Sequence, residues 1–190
     1  MQQKVRTTKA LLADALKKCM CRHSFDRITI KDITDEAGFI RPTFYNHFKD
    51  KYDLLEWIFR SDILLPVGEL FVQEKYREGV RLVIQRMEQN KEFYLRAAKV
   101  EGQNSFRQIV HQSFCQLIYE VLMKYDTNAR KEMRFLTPAL IAEYYATAET
   151  FVLFKWLESG MQISATEVEK VHALLISFSF EDIIKEFATE

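Results

Sequence analysis

Apolar residues along the 190-residue chain recur mainly at three- and four-residue spacing, and no apolar–polar alternation runs beyond a few residues. That spacing lines one face of an α-helix and predicts an all-α fold. Leu11, Leu12, Ala15, Leu16 and Cys19 predict a first helix over 5–22. Ile30, Ile33 and Ala37 predict a short one over 30–37, and Phe44 and Phe48 anchor a shorter one over 41–47. Leu54, Leu55, Ile58 and Phe59 share a face of a helix over 50–62, with Trp57 elsewhere on it, free to meet a second domain. Pro66 and Gly68 then interrupt the pattern. This divides the chain into an N-terminal three-helix helix-turn-helix domain, 1–62, and a C-terminal helical domain, 63–190. Helices are predicted there over 69–89, 91–99, 103–125, 138–159 and 165–188, with a polar connector at 126–138.

The last two predicted helices are apolar on more than one side. In 138–158, Ile141, Tyr144, Tyr145, Ala148, Phe151 and Val152 form one stripe, with Leu140, Phe154 and Trp156 outside it. In 165–188, Val168, Val171, Leu175 and Phe178 form one stripe, and Ile176, Phe180, Ile183 and Phe187 another. A surface helix needs one apolar face. A second face suits a partner, and two such helices from each of two subunits make a four-helix dimer interface. The expected contacts are Ile141, Tyr144, Ala148, Phe151, Leu175, Phe178 and Ile183; the alternative is that these helices lie at the centre of a monomer.

The segment 29–48, TIKDITDEAGFIRPTFYNHF, carries the chemistry. Thr29 and Asp32 have capping-box spacing. Gly38 can take positive φ at a helix end, and Pro42 suits a helix's first turn. Two helices joined by a glycine-containing turn of three or four residues form a helix-turn-helix. Arg41 can fork onto guanine O6 and N7, and Thr43, Tyr45, Asn46 and His47 all hydrogen-bond. Asp50 and Asp53 repeat the capping spacing. Lys51, in the first turn of the next helix, opposes the helix dipole, which makes sense if a phosphate docks there.

The run T-I-K-D-I-T-D-E-A-G-F-I-R-P-T-F-Y-N-H-F-K-D-K-Y-D-L-L resembles the N-terminal domain of TetR/AcrR-type transcriptional regulators, at Thr29, Ile33, Ala37, Gly38, Thr43, Tyr45, His47, Phe48, Lys51 and Leu54. The resemblance implies that Arg41 and Pro42 face bases. It implies that Thr29, Thr43, Tyr45, His47 and Lys51 hold phosphates. Asn46 joins the base-contacting set as a further candidate. Ile40 departs from the pattern, standing where the family usually has Ser or Thr to cap the recognition helix and touch a phosphate. The variant R-P-T-F-Y-N-H-F also resembles the branch that includes regulators of dihydroxyacetone kinase operons, some of which are activators. The resemblance further implies the dimer and an effector pocket among the middle helices. Candidate lining residues there are Phe93, Phe106, His111, Phe114 and Tyr145, with the phenylalanines more readily read as plain core.

Charge adds a modest asymmetry to this picture. The chain is neutral overall, but residues 1–60 hold 12 Lys/Arg against 8 Asp/Glu, and residues 61–190 hold 15 against 19. A basic head on an acidic body fits DNA contact at one end. Three cysteines, an odd number, suggest reduced thiols. Cys19 and His23 lie four apart on one helical face, but no second ligand pair follows, so no metal and no cofactor is expected. The longest apolar run, 173–180, is shorter than the ~20 residues of a membrane span, and the first residues lack the apolar core of a signal peptide. A cytoplasmic protein without a membrane partner is expected. No glycine-rich phosphate loop or nucleophile elbow supports an enzyme. The reading is a homodimeric, sequence-specific regulator of double-stranded DNA with a palindromic operator, a repressor released by a small organic effector. The alternative is an activator or co-regulator acting through a partner protein.

Overall fold

Seven of the eleven α-helices among the described residues start where a side chain takes up a free amide. In the computed structural model, which describes residues 7–102, 104–125 and 133–188, Thr7 accepts from the Ala10 N–H and begins α1 (Thr8–Arg22). The predicted start at residue 5 and residues 126–132 of the connector lie outside the described residues. Thr29 and Asp32 close the capping box of α2 (Ile30–Ala37). The Thr29 oxygen accepts from the Asp32 N–H at 3.2 Å, and the Asp32 carboxylate accepts from the Thr29 N–H at 2.8 Å and hydroxyl at 2.7 Å. These bonds hold the Asp32 carboxyl below the usual carboxylate range. Gly38, at φ +73°, turns the chain into α3 (Arg41–Tyr45), where a Cβ would be strained. Asp50 caps α4 (Lys51–Phe59) by accepting from the Tyr52 and Asp53 N–H groups.

The expected break at 65–68 is not there. α4 runs through a π-turn, Arg60–Leu64, into α5 (Leu65–Val72). The Leu65 N–H reaches back five residues to the Arg60 carbonyl. Pro66 has no N–H to give, and the Asp62 carbonyl, four residues before it, accepts instead from Arg86 Nη1 at 3.1 Å. A donor from a distant helix thus carries the rod past its proline. The Asp62 side chain pairs with Lys17 of α1, so this turn joins the N-terminal helices to the body.

The single helix expected over 69–89 is two. α5 ends at Val72, Glu74 takes φ 60°, and α6 runs Tyr76–Gln89. Gly79 of α6 sits against Phe71 of α5; an added Cβ would lie 2.4 Å from that ring, so only glycine allows this approach. α7 (Lys91–Ala97) and α8 (Phe106–Leu122) follow, α8 capped by Ser105. α9 (Pro138–Glu158) packs along α8, and α10 (Ala165–Ser177) packs on α6. The last predicted helix also divides. α10 stops at Ser177, and Ser179 with Asp182 forms a capping box that starts α11 (Phe180–Ala188).

The buried side chains form one continuous cluster from Leu12 to Val168. Its centre is aromatic: Phe106 lies 5.6 Å from Phe59, 5.9 Å from Tyr94 and 6.0 Å from Phe154 between ring centres. Phe59 is the last residue of α4, so the rod that leaves the helix-turn-helix passes through the body's core. Arg96 of α7 adds a bond from Nη2 to the Cys21 carbonyl, 3.2 Å, at the end of α1. Trp57, expected to meet the second domain, lies edge-on to Phe48 instead, 5.9 Å between ring centres. Among the described residues no helix is long and apolar enough to cross a membrane.

Candidate nucleic-acid interface

The helix α3 turns two aromatic rings inward and its polar groups outward. Phe44 is fully buried and Phe48 nearly so, their ring centres 5.7 Å apart. Spacing of four puts both on one side of a helical turn. The remaining positions face away: Arg41, Pro42, Tyr45, Asn46 and His47 are exposed and Thr43 half-buried. Among the described residues no hydrogen bond or ion pair is formed by the side chains of Arg41, Asn46 or His47. The ring of Tyr45 rests edge-on against Phe44 at 5.6 Å. Five free or half-free donors on one short, rigidly anchored helix can reach base edges and phosphate oxygens together.

Two residues expected to hold phosphates are already occupied. Lys51 is the clearer case. Its ammonium donates to the carbonyls of Phe25 (2.8 Å), Ile28 (2.9 Å) and Asp26 (3.1 Å), and lies 4.8 Å from the centre of the Phe25 ring. It closes the C-terminal end of the 3-10 turn Phe25–Arg27, and burial lowers its pKa from the ordinary lysine value. Thr29 spends both hydroxyl functions on Asp32. Thr43, Tyr45 and His47 keep theirs. Two cations nearby were missed in the sequence. Lys49 is exposed just past α3, and Lys9 of α1 lies 5.4 Å from the centre of the Phe48 ring. The signal for Lys49 was a basic residue directly after the buried Phe48; Lys9 had none, because only the fold brings it there.

Ile40 caps α3 without a side-chain bond and is 69 % exposed. Ile40→Ser is expected to stabilise the chain by about 1 kcal/mol, because serine can bond a free amide of the first turn. Urea unfolding of the two proteins checks this; an unchanged midpoint would mean the start of α3 needs no cap.

The five candidate pocket residues fall in different settings. Phe93, Phe106 and Phe114 are buried core. Phe114 packs 5.9 Å from Phe59, and Phe93 lies under Lys17 of α1. His111 Nε2 is 3.3 Å from Thr147 Oγ1 and from Glu143 Oε1, bridging α8 to α9. Tyr145 belongs to the outer face of α9, edge-on to the exposed Tyr144. A cleft of about 310 Å³ lies between α1 and α2, and another of about 210 Å³ between α4 and α8; none of the five lines either. Tyr94 of α7 is a further aromatic residue that the sequence places among the middle helices. Its hydroxyl is fully buried without a hydrogen-bond partner, and burial followed by the nearby Asp62 charge pushes its pKa far upward.

The stripe assigned to pairing is open to solvent. Tyr144, Ala148 and Phe151 of α9 are exposed, as are Leu175 and Phe178 after it, while Ile141 and Ile183 are half-buried. The opposite side of α9 buries Ala142, Ala146, Leu153, Phe154 and Leu157. His172 of α10 bonds both carboxylate oxygens of Glu149 at 2.7 Å, tying the two helices together beside this face.

Comparison with known proteins bears on both halves. Residues 12–58 match the description "Bacterial regulatory proteins, tetR family", and residues 74–177 match "Transcriptional regulator C-terminal region". The HTH-type dhaKLM operon transcriptional activator DhaS of Lactococcus lactis is 23% identical over 168 residues, covering 88% of this chain and 89% of that one. A putative TetR-family regulator from Syntrophomonas wolfei shares the fold with TM-score 0.65 at 18% identity, over 91% of this chain and 97% of that one. The fatty acid degradation regulator FadR from Bacillus halodurans does so with TM-score 0.60 at 18% identity, over 92% and 97%.

Proposed function

Since the chain belongs to the TetR family and is a DNA-binding transcriptional regulator, we propose that it acts as a homodimer on a palindromic operator, with α3 of each subunit in the major groove. The observation that carries this reading is the exposure of Arg41, Pro42, Tyr45, Asn46 and His47 on a helix held by Phe44 and Phe48. Arg41, Pro42 and Asn46 contact bases. Thr43, Tyr45 and His47, joined by Lys49 and Lys9, hold phosphates. Residues 1–62 carry that surface, and residues 63–190 carry the pairing face of α9, α10 and α11. A nuclease footprint with the purified chain at low salt tests the reading. Two protected half-sites related by two-fold symmetry are expected; absence of protection without an added protein would instead favour a co-regulator recruited by a partner.

Arg41→Ala should weaken operator binding by ~1–3 kcal/mol and relax preference at a single base pair in each half-site. Titration of duplexes varied at each position reads this out. Equal losses on every sequence would make Arg41 a phosphate contact.

A small effector is the proposed signal, and the unpartnered Tyr94 hydroxyl supports one. That hydroxyl lies within electrostatic reach of Asp62 and Arg86, which hold the π-turn. A ligand accepting or donating there favours a different arrangement of the rod and of α1, releasing DNA by population shift. Tyr94→Phe removes a buried polar atom that has no partner, so stability should hold or rise by about 1 kcal/mol. Response to effectors should fall. A large destabilisation in thermal unfolding would show that the hydroxyl is already bonded. The activator description of the Lactococcus lactis relative favours a second reading, in which the bound dimer raises transcription; in vitro transcription from a footprinted promoter separates the two signs.

A further inference from the structure

We propose that Ile40 reads the 5-methyl group of a thymine beside the base pair read by Arg41; this rests on the DNA-binding reading above. Two large apolar side chains in the described residues before α4 are strongly exposed, Ile40 at 69 % and Tyr45 at 53 %. Tyr45 has a hydroxyl and an aromatic neighbour that explain its position. Ile40 has neither. Its extended backbone, φ −98° and ψ 155°, places successive side chains on opposite sides. Phe39 packs against the core, so Ile40 is turned outward, beside Arg41 and Pro42, which are also exposed.

A hydrocarbon here gives up two things. It cannot accept a bond from the free amides at the start of α3, so the helix goes without a side-chain cap. It also cannot bond a phosphate. What remains is apolar contact, and the surface it continues is the one proposed to enter the major groove. On base edges in that groove the apolar group is the thymine methyl. A β-branched side chain is stiff about χ1, so little rotamer freedom is lost on contact. Ile40 and Pro42 therefore flank Arg41 with apolar surface, and a guanine with an adjacent thymine is the complementary pattern.

The experiment starts from a randomised duplex library from which the full-length chain selects its binding sequence. Each thymine of the selected duplex is then replaced in turn by deoxyuridine, which deletes only the methyl group. The native chain should lose roughly fourfold in affinity at one thymine of each half-site, the worth of one buried methyl-sized group. Ile40→Ser, checked for folding by thermal unfolding, should bind the thymine and uracil duplexes equally. Comparison within each protein cancels any phosphate contact the serine gains. Indifference of the native chain to every replacement overturns the proposal. So does an unchanged penalty in Ile40→Ser, which would assign the methyl to another side chain. If the library yields no enriched sequence, sequence-specific binding itself fails and this inference fails with it; sequence-specific binding that ignores methyls overturns Ile40 alone.

Discussion

Lys51→Met should destabilise the chain by about 2–4 kcal/mol and lower the urea midpoint accordingly. The Lys51 ammonium serves three carbonyls, of Phe25, Asp26 and Ile28, that close the turn between α1 and α2. Methionine nearly matches the length and apolar stem of lysine, so packing is kept and the three acceptors lose their donor. Phe25 and Ile28 are buried, which limits access of water to the freed oxygens. The turn sets where α2 begins, and α2 supports α3, so DNA affinity should fall as well, through loss of folded protein and of register. The alternative role expected from the sequence, a phosphate contact, makes the opposite forecast. It requires an unchanged midpoint and a salt dependence of binding flatter by about one counterion. Measuring both quantities on one variant decides between them.

Phe151→Glu should convert the proposed dimer to monomers and cost about 100-fold or more in operator affinity, since linked half-site binding multiplies affinity by ~10²–10⁴. Phe151 is 57 % exposed in the single chain. The helix itself therefore loses little, and helix content and monomer unfolding should stay near native. A carboxylate at the middle of the proposed four-helix interface is desolvated without a partner, and that cost falls on association. Sedimentation gives the oligomeric state, and titration of a full operator against an isolated half-site gives the affinity. Binding to the half-site should be unchanged. A variant that remains dimeric would move the interface off this face of α9.

What was legible in the sequence was what is decided within about four residues. The capping box at Thr29 and Asp32, the positive φ of Gly38 and the inward pair Phe44 and Phe48 are local, and each was found where expected. The exposed stripe through Tyr144, Ala148 and Phe151 followed from periodicity alone, because the other side of α9 carries its own apolar set. The misses have two origins. Some signals were present and outweighed: Ser179 and Asp182 have capping spacing, but apolar periodicity running from Val168 to Phe187 hid the break. Others were not local. Glu74 takes positive φ without being glycine or asparagine. Pro66 is rescued by Arg86, 20 residues later in the chain, and Lys51 bonds backbone oxygens, which carry no residue identity.

The π-turn at Arg60–Leu64 has one more consequence. It absorbs one extra residue with little added rotation, in a rod that runs along one continuous core. Leu54, Leu55, Ile58 and Phe59 are buried before the turn, Ile63 within it and Val67 after it. The faces before and after the turn are thus kept in phase. Deleting one residue within 60–64 returns the helix to regular pitch and leaves the phase of α5 nearly unchanged, so Val67 stays on the core, whereas deleting one residue from the regular turns of α4 rotates everything after it by about 100°. A deletion of the same size in the turn after Val72 shortens a connection and leaves both phases alone. Angle therefore fixes length in the regular turns of this rod, and reach fixes it at the connection after Val72.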